Sequence, residues 1–526
     1  MGSTSQKQNL LRLLEQCSSM REMKQIHAYA ITTSLARFTF ISSKLLAFCA
    51  LSPHADLRHA HTLFSHIPFP TLFHYNTIIA AFSRRSSSFF LRMLNNTTIR
   101  PNSRTFTLLL SKASPSLPFL QQLHSLILRH GYLSDPYVIT SLVTAYSNHA
   151  STRTARNVFD ESPNQNVACC TSLLTGYCNN GLVNDAREVF NAIPYKNDVS
   201  YSAMVSGYVR NGFFREAIQL FRELKKNRFA TVKPNNSLLV SVLSACAAIG
   251  AFEEGKWIQS HVDQNEELEH YELELGTALI DFYTKCGCME PAERVFGKMK
   301  DKDVAAWSAM ILGLAINGEN YSALELFAEM EKVGPRPNAV TFIGVLSACN
   351  HKELFGRAVS LFNYMREKHG IVAWIEHYGC VVDALARGGK IDEALEFVKT
   401  MEMEADGAIW GCLVNACLLH GYVELGLRIG KYLVEFERGH SGRYVVLANV
   451  YARLGRWEGV LETRNLMKGR GVSAVTAWSF IEIDGTLHKF VVDDNSAPYS
   501  GELYRMLNHL GKKLEDSDNA NYSFFV

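Results

Sequence analysis

A pattern of alanine, three residues, then phenylalanine recurs along this chain, and no other feature constrains its fold as strongly. It appears as Ala60/Phe64, Ala155/Phe159, Ala186/Phe190, Ala217/Phe221, Ala292/Phe296, Ala323/Phe327 and Ala358/Phe362. Successive phenylalanines lie 31 residues apart at three steps and 35 at another. An i, i+4 pair sets a small and a large residue on one helix face. The small residue lets a second helix approach, and the large one fills the groove. Another amphipathic segment precedes each pair, as in Tyr201–Tyr208 and Trp307–Leu314, and ends in Asn211-Gly212, Asn317-Gly318 or Cys286-Gly287. Glycine in that place is a helix stop. Proline then follows the second segment at Pro68, Pro163, Pro194, Pro234 and Pro337. Each unit therefore reads helix, turn, helix, loop. One such hairpin cannot bury its apolar face alone, so neighbours must stack. The expected fold is all-α, a right-handed α-solenoid of helix-turn-helix repeats.

Composition agrees with a folded chain: of 526 residues, 47% are apolar and 20% charged. A net charge of +2 is too small for bulk electrostatic capture of nucleic acid. Any nucleic-acid recognition must rest on local basic residues and on base contacts. Twelve cysteines are scattered along helical contexts such as Ser244-Ala245-Cys246 and Ser347-Ala348-Cys349, which suits reduced core residues more than a disulfide framework. No run approaches the ~18–20 apolar residues of a membrane span, so no membrane partner is expected. The first acidic residue is Glu15, after Ser3, Thr4, Ser5, Lys7 and Arg12, a faint organelle-targeting signature beside the reading as an ordinary N-terminus.

Catalytic motifs are fragmentary. His351-Lys352-Glu353 and His270-Tyr271-Glu272 match the first half of a zinc-deaminase signature, but no P-C-x-x-C follows anywhere. Cys286-Gly287-Cys288 and Cys169-Cys170 lack partners at zinc spacing and read as turn and core residues. Gly250-Ala251-Phe252-Glu253-Glu254-Gly255-Lys256 resembles a phosphate loop, yet Trp257 stands where Ser or Thr should bind magnesium. It reads as an inter-helix turn. No enzyme activity, cofactor or metal is expected.

Tetratricopeptide repeats share this architecture but hold a fixed 34-residue period. The variable period here resembles the PLS branch of the plant pentatricopeptide-repeat family, which alternates standard, long and short units. Landmarks of the resemblance are Leu346-Ser347-Ala348-Cys349, Phe282-Tyr283-Thr284-Lys285-Cys286-Gly287, Ile375-Glu376-His377-Tyr378-Gly379-Cys380 and Lys24-Gln25-Ile26-His27-Ala28. It covers nearly the whole chain. The units parse as 39–71, 72–102, 103–135, 136–166, 167–197, 198–235, 236–272, 273–303, 304–338, 339–374 and 375–406, with a degenerate unit within 1–38 and a shortening after Arg84.

Residues 407–474 resemble the family's E-type extension, two further helical hairpins. Residues 475–526 resemble a degenerate E-plus segment in which Thr476-Ala477 replaces the usual Pro-Gly. Within it, Phe480–Val492 alternates with period two around Asp484-Gly485, which marks a short β-hairpin.

The resemblance implies that each repeat meets one base of single-stranded RNA and chooses it with two side chains, the fifth residue and the last. Asp is only an acceptor and suits the imino N–H of G or U, whereas Asn can donate to the ring nitrogen of A or C. A short Ser or Thr at the fifth position leaves room for a purine. On that code Asn76 with Asn102 favours a pyrimidine and Thr107 with Asp135 favours G. Thr140 with Asn166, Thr171 with Asn197, and Ser202 with Asn235 each favour A. Thr277 with Asp303 favours G, and Ser308 with Asn338 favours A. Ser43/Thr71, Val240/Glu272, Ile343/Trp374 and Gly379/Asp406 give no reading. Ser, Thr and Asn are also ordinary helix caps. Yet six of the seven assigned pairs put Ser or Thr first, and all seven put Asn or Asp last.

By the same resemblance the target reads 5′-Y-G-A-A-A-N-G-A-N-N-N-N-N-C-3′, with the final C edited to U. The implied role is site recognition for organellar C-to-U editing, in the mitochondrion or alternatively the chloroplast. The implied partners are organellar RNA, a DYW-type deaminase acting in trans through 407–526, and multiple organellar RNA editing factor proteins. Organellar RNA stabilisation, splicing or translation without editing stays open, as does a tetratricopeptide-like protein scaffold.

Overall fold

A computed structural model of the chain describes residues 2–96, 98–112, 115–163, 165–226, 233–264, 271–350, 354–473, 478–483, 486–491, 501–502 and 504–510. The triplet His351–Glu353, together with His270, lies outside the described residues. The chain divides into two compact units, Met1–Leu238 and Leu239–Val526.

In the first unit the opening helices of successive hairpins are Thr39–Leu51, Leu72–Ala81, Ser103–Lys112, Pro136–Asn148, Val167–Asn179 and Asp198–Arg210, each packed beside the next. Their return helices are Leu57–His66, Ser86–Leu94, Leu117–Arg129, Thr152–Asp160, Val183–Ala192 and Phe214–Lys226. The shortened unit after Arg84 thus keeps a second helix, nine residues long, at Ser86–Leu94.

The second unit repeats the scheme. Opening helices Leu273–Lys285, Val304–Ile316, Ala339–Ser347, Ile375–Arg387, Gly407–Leu419 and Ser441–Arg453 line up in order. They are answered by Met289–Lys298, Asn320–Val333, Ala358–Glu367, Ile391–Lys399, Val423–Phe436 and Trp457–Gly469. Beyond these, strand β1 (Trp478–Ile483) pairs antiparallel with strand β2 (Thr486–Val491), Trp478 opposite Val491 and Ile483 opposite Thr486.

The alanine-phenylalanine pattern has a direct structural meaning. Ala186, Ala217, Ala323 and Ala358 are fully buried, and Phe190, Phe221, Phe327 and Phe362 nearly so. The rings of Phe190, Phe296, Phe327 and Phe362 each meet an aromatic residue on the opening helix of the next repeat. Phe190 meets Tyr201 with centroids 5.3 Å apart, Phe296 meets Trp307 at 5.1 Å, and Phe327 meets Phe342 at 5.3 Å, all edge-to-face. Such pairs contribute about 0.5–1.5 kcal/mol beyond their buried area. The favourable contact lies between repeats, which is why no hairpin is complete alone.

Two smaller devices set the spacing of the opening helices. Gly207 lies against Cys178, and Gly313 against Thr284, so closely that a Cβ at either glycine would overlap the neighbour's side chain. At the helix ends, Asn211 Nδ2 donates to Gly207 O of its own helix and to Cys178 O of the preceding repeat, at 2.8 and 2.9 Å. Asn317 does the same to Gly313 O and Thr284 O, both at 2.8 Å. Gly212 and Gly318 follow with φ of +78° and +84°, the left-handed stop only glycine adopts without strain. Asn-Gly therefore ends the helix and ties it to its neighbour. The same conformation at Gly250, φ +67°, makes the apparent phosphate loop the turn between helices Asn236–Ile249 and Phe252–Asp263.

Candidate nucleic-acid interface

The seven last-position residues share one local job. Each starts the opening helix of the following repeat, where the first backbone N–H groups have no intrahelical acceptor. Asn166 Oδ1 accepts from Cys169 N at 2.8 Å, Asn197 from Ser200 N at 2.9 Å and Asn338 from Thr341 N at 3.0 Å. Asp303 Oδ1 accepts from Ala306 N at 2.9 Å, and Asp135 Oδ1 from Tyr137 N and Val138 N at 2.9 and 3.2 Å. Asn102 and Asn235 accept from Thr105 N and Leu238 N at 3.0 and 2.9 Å. One oxygen of each side chain is thereby fixed. The group left over is an amide donor on Asn and a carboxylate acceptor on Asp.

The fifth-position hydroxyls are oriented by a complementary rule. Thr140, Thr171, Ser202 and Thr277 donate to the backbone carbonyls of Pro136, Val167, Asp198 and Leu273, at 2.7, 2.7, 2.7 and 2.8 Å. Thr107 donates to Arg104 O at 3.0 Å. With its proton held by the helix, the hydroxyl oxygen of Thr107, Thr140, Thr171 or Thr277 is left as an acceptor, whereas the Ser202 proton is shared between Asp198 O and Asn235 Oδ1.

The pairs then divide. Asn76 Nδ2 donates to Asn102 Oδ1 at 3.3 Å, and Ser202 Oγ to Asn235 Oδ1 at 2.9 Å, so these two pairs are joined directly. Asn235 Nδ2 is also engaged, by Asp198 Oδ2 at 2.9 Å. Ser308, buried, reaches Asn338 only through Thr341, whose Oγ1 lies 2.8 Å from Ser308 Oγ and 3.1 Å from Asn338 Oδ1. Thr107/Asp135, Thr140/Asn166, Thr171/Asn197 and Thr277/Asp303 form no direct hydrogen bond. Among the described residues, the Nδ2 groups of Asn166, Asn197 and Asn338 are left without a partner.

A cleft of about 250 Å³ opens between helices Pro136–Asn148 and Val167–Asn179. Thr144, Ser147, Thr171, Thr175 and Asn179 are among its lining residues, so the wall is uncharged, with hydroxyl and amide groups set in a mainly apolar surface. Such a lining suits the edge of a neutral base better than a phosphate.

Sequence reasoning missed a third element. Phe73, Tyr137, Val199 and Val340 are 49%, 77%, 53% and 40% exposed, too much surface for core residues. Each sits three residues before a fifth position, one turn away on the same helix face. Beside the pairs that begin at Asn76, Thr140 and Ser202, and in the unread repeat of Ile343, an exposed apolar side chain offers a base something to lie on. The signal that could have found them is an apolar residue two places after each cap, on a turn whose core face is already filled.

Three of the four unread pairs have a local explanation. Asp406 caps Ile409 N at 2.9 Å, but its partner position holds Gly379, without a side chain. At Thr71 and Trp374 a histidine takes part in the cap. His74 Nδ1 accepts from Thr71 N, and His377 Nδ1 from Trp374 N, each at 2.9 Å. Both rings are fully buried, and burial holds their pKa values below the usual histidine range, which keeps them neutral. No described helix is long and apolar enough to cross a membrane. Among the described residues no group of three or more His, Cys, Asp or Glu could hold a metal ion.

Comparison with known proteins converges on one family. Pentatricopeptide-repeat models match residues 168–197, 199–229, 277–304, 376–404 and 302–351, and an E-motif model matches 420–482. Pentatricopeptide repeat-containing protein At5g66520 of Arabidopsis thaliana is 43% identical over 96% of this chain and 82% of its own length. Pentatricopeptide repeat-containing protein ELI1, chloroplastic, of the same plant is 41% identical over 97% of this chain and 80% of that protein. The crystal structure of the pentatricopeptide repeat protein PPR10 from maize superposes with a TM-score of 0.50 over 88% of this chain and 78% of that one, at 15% identity. The tetratricopeptide alternative is thereby set aside: the chain belongs to the pentatricopeptide-repeat family and carries an E motif after its repeats.

Proposed function

We propose that this chain binds single-stranded RNA in a sequence-specific manner, one base per repeat, and selects a site for C-to-U editing in an organelle. The observation that carries the reading is the division of labour at the last positions. Capping takes one oxygen of every Asn or Asp, and except at Asn235, whose amide Asp198 holds, the group that remains is the donor or acceptor the base code requires. The paired fifth-position hydroxyls supply a fixed acceptor nearby. Residues 39–406 form the PLS-type array, and within it 72–338 does the reading. Residues 407–474 and 475–526, the E-type and degenerate E-plus segments, recruit a DYW-type deaminase in trans together with multiple organellar RNA editing factor proteins.

The named relative ELI1, described as chloroplastic, supports an organellar address, with mitochondrion and chloroplast as the two candidates. Sequencing organellar transcripts with and without this protein tests the reading. Loss of C-to-U conversion at one site preceded by the expected bases supports it. Unchanged editing, with altered abundance or splicing of one transcript, replaces it with RNA processing. Deletion of 475–526 should abolish editing and leave RNA binding intact.

A further inference from the structure

The repeat at 339–374 breaks the chemistry of its neighbours. Its fifth residue is Ile343 and its last is Trp374, so neither position offers an acceptor to a base edge. Trp374 stands where the other repeats place a capping Asn or Asp, with extended backbone at φ −95° and ψ 167°. Indole nitrogen is a donor only, so it cannot satisfy the backbone N–H groups of the next helix. His377 closes the cap in its place. Its Nδ1 accepts Trp374 N–H at 2.9 Å, while its Nε2–H donates to Ala339 O at 2.8 Å. Ala339 opens the helix that carries Ile343. A fully buried histidine thus holds the Trp374 backbone in the reading position and leaves its side chain no capping duty.

That side chain is 46% exposed, a costly state for an indole unless something covers it. Its one ring neighbour among the described residues is His377, tilted at 59° with centroids 5.8 Å apart. Val340, one turn before Ile343 on the same face, is 40% exposed, and Val372 is 75% exposed. Valine, isoleucine and indole therefore replace the hydroxyl and amide found elsewhere. In the following repeat the fifth residue is Gly379, where even a Cβ would meet only Ile409 Cγ1 at 3.8 Å. Past Asn338, Trp374 is the one base-sized surface at a reading position.

We propose that Trp374 is a nucleobase platform: it stacks on the base facing repeat 339–374 and holds it without choosing its identity. The occupant is a base of the same RNA, because the residue continues the register of the reading pairs. The inference rests on the RNA-reading proposal above. Every base has a π-face, and a stacked base adds affinity whatever its edge. Trp374 would fix the RNA at the ninth nucleotide of the expected target, where pair readout ends.

The test uses the full chain and five RNAs that match the expected target but carry A, C, G, U or an abasic unit at the ninth nucleotide. The wild-type chain should bind the four base-containing RNAs within about threefold of one another and lose on the order of tenfold on the abasic one. Trp374→Ala should lose a similar factor on base-containing RNA and show no further loss on the abasic one. Trp374→Phe should keep most of the affinity yet lack the fluorescence quenching that stacking on Trp374 produces in the wild type. Equal wild-type affinity for abasic and base-containing RNA overturns the platform while leaving RNA reading intact, as does strong preference for one base at that nucleotide. Failure of the wild type to bind any of the five overturns both proposals.

Discussion

On the proposed reading, Asn197 separates capping from base selection within one side chain. Its Oδ1 accepts Ser200 N–H at 2.9 Å, and its backbone N–H returns a bond to Ser200 Oγ at 3.0 Å. Asp caps as well as Asn, and a negative charge at a helix start is mildly favourable. Asn197→Asp should therefore leave thermal stability within about 0.5 kcal/mol. The outward group changes from an amide donor to a carboxylate acceptor. Against adenine, whose N1 is an acceptor, that removes one hydrogen bond and leaves a charged group unpaired, a loss of about 1–3 kcal/mol. The affinity should fall ~5- to 150-fold. Against guanine, whose N1 carries a proton, the carboxylate gains a bond beside Thr171, whose own proton is held by Val167 O at 2.7 Å. Fluorescence anisotropy with A or G at the fourth target nucleotide reads both changes. Asn235 would be a poorer choice, because its Nδ2 is already held by Asp198. A variant that loses affinity equally for both RNAs, or for neither, would refute the assignment of the last residue as reader.

Three further outcomes follow from the packing. Gly207→Val should destabilise the first unit by about 1–3 kcal/mol in chemical denaturation, because the new side chain overlaps Cys178; an unchanged midpoint would mean the opening helices are free to separate. Ala150 has φ +55°, in the place where the next repeat has Gly181 at φ +77°, so Ala150→Gly should raise stability by about 0.5–1 kcal/mol in calorimetry. His74 and His377 have pKa values held below the unfolded value of about 6.5, so the unfolded chain binds more protons there. Stability should be full at neutral pH and fall as pH drops below about 6.5, with a slope of up to about 1.4 kcal/mol per pH unit from each ring. Thermal unfolding between pH 7.5 and 5.5 checks the sign, and a constant Tm would contradict it.

The repeat architecture was legible because its signals are local and recur. A small and a large residue at i and i+4, followed by a glycine stop, specify a hairpin from a few residues. Contacts between repeats were less legible, since they join residues about 30 positions apart whose register only packing decides. Nothing in the sequence marks Asn211 as a tie to Cys178 O, or Gly207 as the place where two helices nearly touch. The shortened segment after Arg84 hid a nine-residue helix, Ser86–Leu94, because serines at its start resemble a loop. At the interface the chemistry of each pair was readable but its geometry was not. Ser202 and Asn235 bond to each other, whereas Thr171 and Asn197 do not, although both pairs set a short hydroxyl residue before Asn. His377 was read as part of a family landmark, and its role in holding Trp374 needs the fold to appear.

On the proposed reading, the pairs at residues 136–235 each select adenine. The most direct measurement is the affinity of the full chain for two RNAs, one carrying the expected A-A-A at nucleotides three to five and one with C-C-C there. The second should bind at least about tenfold more weakly: cytosine N3 can still accept an Asn amide, but the smaller ring withdraws from the short Thr140, Thr171 and Ser202 side chains and loses a contact worth ~0.5–1.5 kcal/mol at each position. Equal affinity for both RNAs would contradict it.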